Sequence, residues 1–221
     1  MQGGVPDSEG ILDQIDREAE ITQLSAEYGT PRRERCALDV SQASHEWWST
    51  EKVRRRDGEV VLFIQRRNGN LILHTKDFYP GRVLRVPSGG IKRGEAVFSA
   101  VHREVLEETS LQVAIERFLA LVEFEFHWRG GATRYPSYSF LLREVAGDLR
   151  SQDPHERIAA FSEVPFSELP SVARELENVP ASWRDWGQFR AIPHRLAAEL
   201  MGCSRPRQTL PLRQERGAEY R

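Results

Sequence analysis

Cysteine is scarce in this chain, and its scarcity excludes two ways of holding a fold or a metal. Cys36 and Cys203 stand far apart, without CxxC spacing, so neither a disulfide framework nor a thiolate metal site is indicated. Long apolar runs are missing too. Val60 to Ile64 and Phe118 to Val122 fall far short of the roughly 20 residues that cross a bilayer, and no basic and then apolar leader opens the sequence. These absences give the expectation of a cytoplasmic protein without membrane contact. Charge of one sign is not in excess either. Thirty-one basic against 33 acidic residues leave a formal net charge of −2, which provides no global positive field for a nucleic-acid backbone. Small anionic ligands remain open, because local charge decides them.

What is present suits one globular domain with extensions: 39% hydrophobic and 29% charged residues over 221 positions. Ser8 to Tyr28 spaces Ile11, Leu12, Ile15, Ala19, Leu24 and Ala26 roughly as an amphipathic helix. Gly29, Thr30 and Pro31 end it, and Arg32 to Arg35 form a basic patch. Residues 1–40 therefore read as an accessory segment, partly helical, residues 41–202 as the main domain, and residues 203–221 as a disordered tail. Within the main domain, Glu59 to Gln65 and Leu71 to Thr75 flank Asn68-Gly69-Asn70 as a hairpin. Arg82 to Val86 reads as extended, and Pro87-Ser88-Gly89-Gly90 as a glycine-rich loop. A helix follows over Glu95 to Glu108. Leu111 to His127 and Tyr135 to Glu144 form a second hairpin about Arg129-Gly130-Gly131. Ile158 to Val164 is the last strand, Pro165 to Leu176 a short helix, and Trp183 to Met201 a helix interrupted near Pro193. Strands on both sides of one central helix, with helices at the end, imply the α/β (α+β) class: a mixed β-sheet sandwiched between helices.

The informative stretch begins at Gly89 and ends at Leu111. On a helix advancing about 100° per residue, Glu104, Glu107 and Glu108 occupy i, i+3 and i+4 and share one face. Three carboxylates so close repel one another unless something positive sits among them, and a hard divalent cation fits. Mg²⁺, with Mn²⁺ as the alternative, takes oxygen ligands and commonly shares its shell with substrate phosphates. Arg103, four residues before Glu107, can orient a carboxylate with its forked donors. Phe98, Val101 and Val105 form an apolar stripe that would anchor the helix to a sheet. Gly89 and Gly90 let the backbone approach an anion or metal, or take positive φ.

This stretch resembles the Nudix family, whose box reads G x5 E x7 R E U x E E x G U, with U aliphatic. Gly89, Glu95, Arg103, Glu104, Val105, Glu107, Glu108 and Leu111 match it, and Ser110 stands where the family has glycine. The resemblance implies a Nudix-like fold and hydrolysis of a pyrophosphate bond in a nucleoside diphosphate linked to another group. It places metal on Glu104, Glu107 and Glu108, pairs Glu95 with Arg103, and suggests the Ser88 backbone carbonyl as a further ligand. Homodimerisation also follows as an expectation. Ser110 should end the helix in a left-handed conformation, at about 1 kcal/mol, and Lys92 stands where relatives often carry an acid.

A general base is needed, and the candidates are Glu104, Glu108 or the loop acid Glu156. Arg66 and Arg67 are candidates for phosphate contact, against the alternative of an exposed basic pair. Trp47, Trp48, Phe78, Phe126, Trp128 and Tyr135 offer stacking surfaces for a base, while His74, His102 and His127 lack metal-ligand spacing. Two other readings compete with hydrolysis. One is a catalytically silent Nudix-fold module that senses a ligand or binds a partner through Trp183, Trp186 and the end helices. The other is prenyl-diphosphate isomerase chemistry drawing on Gln65-Arg66-Arg67.

Overall fold

Residues 15–202 are described, from a computed structural model. The expected helix start at Ser8, the disordered tail over 203–221 and Cys203 lie outside the described residues. The elements run α1 (Arg17–Tyr28), β1 (Arg32–Asp39), α2 (Gln42–Trp48), α3 (Glu51–Arg54), β2 (Arg56–Gln65) and β3 (Leu71–Lys76). They continue with β4 (Ser88–Lys92), α4 (Val97–Thr109), β5 (Gln112–Trp128), β6 (Gly131–Ala146), β7 (Ile158–Val164), α5 (Leu169–Glu177) and α6 (Arg184–Leu200). Asp16 caps α1, its carboxylate accepting from the amides of Glu18 and Ala19, so among the described residues this helix begins at Arg17.

The seven strands form one mixed sheet in the order β1-β5-β6-β2-β3-β7, with β4 paired to β2. Alternation along β2 explains the two layers around it. Val60, Leu62 and Ile64 face a core shared with Ile21 and Leu24 of α1 and Val97, Val101 and Val105 of α4. Val61 and Phe63 face the other way, onto Leu169, Val172 and Leu176 of α5 and Ala191 and Ala197 of α6. A strand covered on both faces has no polar side to spare, and each of these fully buried large side chains contributes roughly 2 kcal/mol. The mixed sheet between helices is therefore as expected.

The long hairpin β5–β6 also stands where expected. Its two-residue tip, Arg129 (φ 46°) and Gly130 (φ 81°), has the positive dihedrals of a type I′ turn. The first hairpin differs. Its strands β2 and β3 pair at Gln65 and Leu71 and then part. One edge of β2 carries β6 in parallel from Glu59 to Gln65, so the other edge is shared: β4 takes its first half, from Arg56 to Val61, and β3 leaves to pair with β7. The sheet thus forks beside β2, between β3 and β4.

Four expectations are corrected. Gly89 and Gly90 belong to strand β4, where ladder bonds to Val60 and Glu59 extend the backbone; positive φ falls on Gly94 (φ 72°) instead. Arg82 to Val86 is mostly irregular, with one bridge from Arg85 to His74. Arg32 to Arg35, taken as a basic patch in the accessory segment, opens the edge strand β1, parallel to β5. Few of its residues favour a strand, so the pairing partner determines its conformation. Helix α6 also continues through Pro193. The lost hydrogen bond, costing about 3 kcal/mol, is offset by burial of Phe189, Ile192 and Leu196.

Ser110 caps α4 in the left-handed region, at φ 60° and ψ 12°, as its place in the sequence predicts. Its hydroxyl donates to the Arg150 carbonyl at 2.8 Å, which offsets part of the strain. Replacing Ser110 by glycine should therefore raise stability by no more than about 1 kcal/mol in urea denaturation. A loss instead would show that the hydroxyl bond outweighs the strain.

Candidate active site

Helix α4 carries its apolar stripe against the sheet through Val97, Val101 and Val105, and this packing turns Arg103, Glu104, Glu107 and Glu108 toward the fork. Phe98, expected in that stripe, is among the exposed large side chains. Arg103 is the hub. Its Nε and Nη2 donate to the two oxygens of Glu95, at 2.7 and 2.8 Å. Its Nη1 donates to Glu104 at 2.7 Å and to Glu107 at 3.0 Å, and Nη2 also reaches the Gly90 carbonyl at 2.9 Å. The Glu95–Arg103 pair is the fork-on-fork geometry that makes charge-assisted bonds strong. Burial pushes Glu95 up, but the bonds from Arg103 and the Lys92 amide outweigh it and hold this carboxyl below its usual value.

Gly89 has a steric reason to be glycine. A Cβ there would lie 1.8 Å from Glu104 Cδ, so the missing side chain is the space in which the Glu104 carboxylate sits. Glu108, fully buried, accepts from the Ser88 amide through Oε2 at 3.1 Å. Its Oε1 lies 3.2 Å from Lys76 Nζ but without hydrogen-bond alignment, leaving a buried acceptor unsatisfied. Burial pushes Glu108 up to about 7, against the pull of Lys76 and Arg85. Burial also raises Glu104, despite Arg103.

Glu156, on the loop before β7, reaches the same place. Lys76 Nζ bridges it to Glu108, and that bond outweighs burial to hold Glu156 below its usual value. Two neighbouring carboxyls are thus driven apart in acidity, which is the arrangement from which acid and base roles are drawn.

Two of these acids, Glu104 and Glu156, stand on the shared wall of two cavities. One, of about 500 Å³, includes Trp47, Trp48, Phe78, Tyr79, Trp183 and Trp186 in its lining. The other, of about 520 Å³, is lined by charged side chains and Gly90. Arg56, Gly90, Glu104 and Glu156 belong to both. At the floor of the aromatic cavity, Ser88 Oγ accepts from Arg85 at 2.9 Å and Arg190 at 3.1 Å, and Arg190 pairs with Glu59 at 2.7 Å. His194 fixes the adjoining backbone: Nε2 accepts from the Val86 amide at 3.1 Å, and Nδ1 lies 2.8 Å from the Arg190 carbonyl. Burial lowers His194 to about 4, so it stays neutral.

Glu95, Arg103, Glu104, Glu107, Glu108, Ser88, Gly89, Gly90 and Glu156 are therefore brought together. Arg66 and Arg67 are not. Arg66 is locked to Glu144 at 2.6 Å and Glu163 at 3.1 Å, and Arg67 to the Val145 carbonyl at 2.7 Å. They lie at the far end of β2, roughly 20 Å along the strand from Glu59. That distance also keeps Gln65-Arg66-Arg67 away from the carboxylate cluster. Of the proposed stacking rings, Trp47, Trp48 and Phe78 line the cavity, whereas Phe126 and Tyr135 are core and Trp128 stacks on His45. Trp183 and Trp186 are cavity wall, packed edge-on at 5.3 Å. Sequence reasoning missed Arg56, Glu59, Lys76, Arg85, Arg190 and His194. The available signal was a charged residue at the end of a buried strand stretch: Glu59 precedes Val60 to Ile64, and Lys76 closes β3.

A divalent cation fits this chemistry. Glu104 and Glu108 are buried acids whose charged forms are undercompensated, and one Glu108 oxygen has no hydrogen-bond donor. Among the described residues, no three carboxylates or imidazoles already converge as a coordination shell. Arg103 and Lys76 bond or flank these oxygens, at the place a cation would take.

The fold and site together define a class: an α/β sandwich with a helix-borne carboxylate cluster suited to a hard metal, opening onto a nucleotide-sized cleft. The NUDIX domain profile matches residues 52–186, and the chain belongs to the Nudix family, the Nudix-type hydrolases. No curated protein sequence matches it significantly. Solved structures similar to it include a NUDIX hydrolase from Nitrosomonas europaea, with a TM-score of 0.45 and 20% identity, covering 65% of this chain and 90% of that one. The E. coli dihydroneopterin triphosphate pyrophosphohydrolase gives a TM-score of 0.41 at 17% identity, over 66% and 94% of the two chains. An ADP-ribose pyrophosphatase from Streptococcus suis gives 0.41 at 16%, over 65% and 90%.

Proposed function

We propose that this protein is a Mg²⁺-dependent hydrolase, with Mn²⁺ as the alternative ion, that cleaves the pyrophosphate bond of a nucleoside diphosphate linked to another group. The observation that carries the proposal is the position of Glu104 and Glu156 on the wall between an aromatic cavity and a charged one. A substrate with a flat ring in the first places its phosphates beside Glu104, Glu107 and Glu108, which would hold the ion together with the Ser88 carbonyl. Bound there, Mg²⁺ supplies Lewis-acid chemistry, neutralising phosphate charge and acidifying water. Glu156 is assigned as the base. It is ionised near neutrality and lies outside the ligand set, while Lys76 orients its carboxylate to take a proton from the attacking water. Arg103 positions Glu104 and Glu107, and Arg85 and Arg190 stiffen the cleft floor through Ser88.

The test is phosphate release after coupled phosphatase treatment, across ADP-ribose, dinucleoside polyphosphates, nucleoside triphosphates, NADH and nucleotide sugars, with Mg²⁺ or EDTA. Turnover with Mg²⁺ and none in EDTA is expected on at least one of these. Nucleotide binding without turnover on any of them would favour the silent sensing module.

A further inference from the structure

The charged cavity has an imbalance that its own side chains do not resolve. Each of its carboxylates already has a cation: Glu51 pairs with Arg55, Glu104 and Glu107 with Arg103, and Glu156 with Lys76. Arg55 and Arg103 are used in those pairs. Two cations in the lining remain, Arg56 and Lys92, and neither has a carboxylate within ion-pair distance among the described residues. The nearby acids are committed elsewhere. Asp57 accepts from Arg17 and from the Gly94 amide, and Glu95, which feels the Lys92 charge only through space, is held by both nitrogens of the Arg103 fork.

These two cations are also directly opposed. Arg56 of β2 and Lys92 of β4 are cross-strand partners, next to a register shift between Arg56 and Gly58. Opposed residues of an antiparallel ladder project from the same face at about 5 Å. Like charges in that relation destabilise a sheet unless an anion lies between them, and an irregular step in a ladder re-aims the side chains beside it. The Arg56 guanidinium lies across the Gly90 backbone, where a Cβ would fall 2.4 Å from Nε. It lines both cavities. The Tyr135 hydroxyl beside Arg56 is neutral, its ionisation disfavoured by burial and by Glu59.

We propose that Arg56 and Lys92 form an anion subsite for the second arm of the substrate, so that the group beyond the scissile linkage carries phosphate rather than being a neutral sugar. Arg56 grips the phosphate chain where it passes Gly90, and Lys92 takes its outer end. The assignment builds on the hydrolase reading only in calling the ligand a substrate. It makes Arg56 and Lys92 specificity-determining residues, with a preference for nucleotides whose phosphate chain extends past the bond that is cut.

Calorimetric titration of the full chain with inorganic tripolyphosphate, in EDTA and low salt, tests this without turnover or metal. Wild type is expected to bind, and Arg56→Gln and Lys92→Gln each to weaken binding by about tenfold. Arg134→Gln, the same charge change at a distant exposed pair with Glu125, should stay within about twofold of wild type. Inorganic phosphate alone should bind at least about tenfold more weakly than tripolyphosphate, because it cannot span both cations. Circular dichroism establishes that the variants are folded, and Arg56→Lys, which keeps the charge but loses the fork, should fall between wild type and Arg56→Gln. No binding by wild type, a loss confined to one of the two variants, or a loss matched by Arg134→Gln would overturn the subsite. Equal affinity for inorganic phosphate would overturn its assignment to a phosphate chain. Because the titration needs no hydrolysis, an inactive protein that shows this pattern would refute the proposed reaction and leave the subsite standing.

Discussion

Replacing Glu108 by glutamine is expected to lower Mg²⁺-dependent turnover by about 10³, some 4 kcal/mol of transition-state stabilisation, while making the metal-free protein more stable at pH 8. Both effects have one cause. Burial pushes the Glu108 carboxyl up from 4.5 to about 7. Between those values the folded chain keeps a proton that the unfolded chain has released, so stability falls as pH rises through this window. Above pH 7 the metal-free protein bears the whole cost, which is on the order of 3 kcal/mol. Glutamine still accepts from the Ser88 amide and carries no charge to bury. In EDTA at pH 8 its melting temperature should therefore exceed that of wild type by roughly 10 °C, with the gap closing toward pH 5. A variant that is both inactive and less stable at pH 8 would show that Lys76 compensates the Glu108 charge fully.

Alanine at Gly89 is expected to reduce turnover by about 10² or more. The new methyl group would have to occupy the place of the Glu104 carboxylate, since the Cβ falls 1.8 Å from its Cδ. Either Glu104 swings away from Glu107 and Glu108, or β4 moves off β2; both spoil the ligand geometry. The contrast is Gly94→Ala. Gly94 has φ 72° and nothing within 4 Å of its Cβ direction, so alanine there costs about 1 kcal/mol of backbone strain and leaves the carboxylates in place. Steady-state kinetics and denaturation of the two variants separate the causes. A Gly89→Ala enzyme with wild-type kcat would show that the glycine serves only the strand.

The spacing of the box makes the acid face legible in the sequence, because helical geometry turns i, i+3 and i+4 into neighbours. The same held for β2, β7 and the long hairpin, whose apolar runs and Gly-containing turns have local causes. What escaped was non-local. Strand β1 owes its conformation to β5, and the sequence Arg32 to Asp39 contains little that prefers a strand. Ser88-Gly89-Gly90 looks like a loop because glycine usually marks turns, but here Gly89 clears space for Glu104, a residue fifteen positions away. Glu156 had no motif to place it, and the forked sheet brings its loop to Lys76 and Glu108. Arg66 and Arg67 illustrate the reverse error: a basic pair near a strand end suggested phosphate, yet Glu144 and Glu163 neutralise Arg66 and the Val145 carbonyl holds Arg67.

The central claim is that the cluster on α4 directs cleavage of a pyrophosphate bond, and phosphorus NMR of the reaction mixture tests it most directly. With ADP-ribose or a dinucleoside polyphosphate and Mg²⁺, the pyrophosphate signals should give way to phosphomonoester or shorter polyphosphate signals. In EDTA, or with Glu108→Gln, the spectrum should stay unchanged over the same interval. Pyrophosphate signals that persist with Mg²⁺ across the whole substrate panel, in a folded protein that still binds nucleotide, would contradict the account.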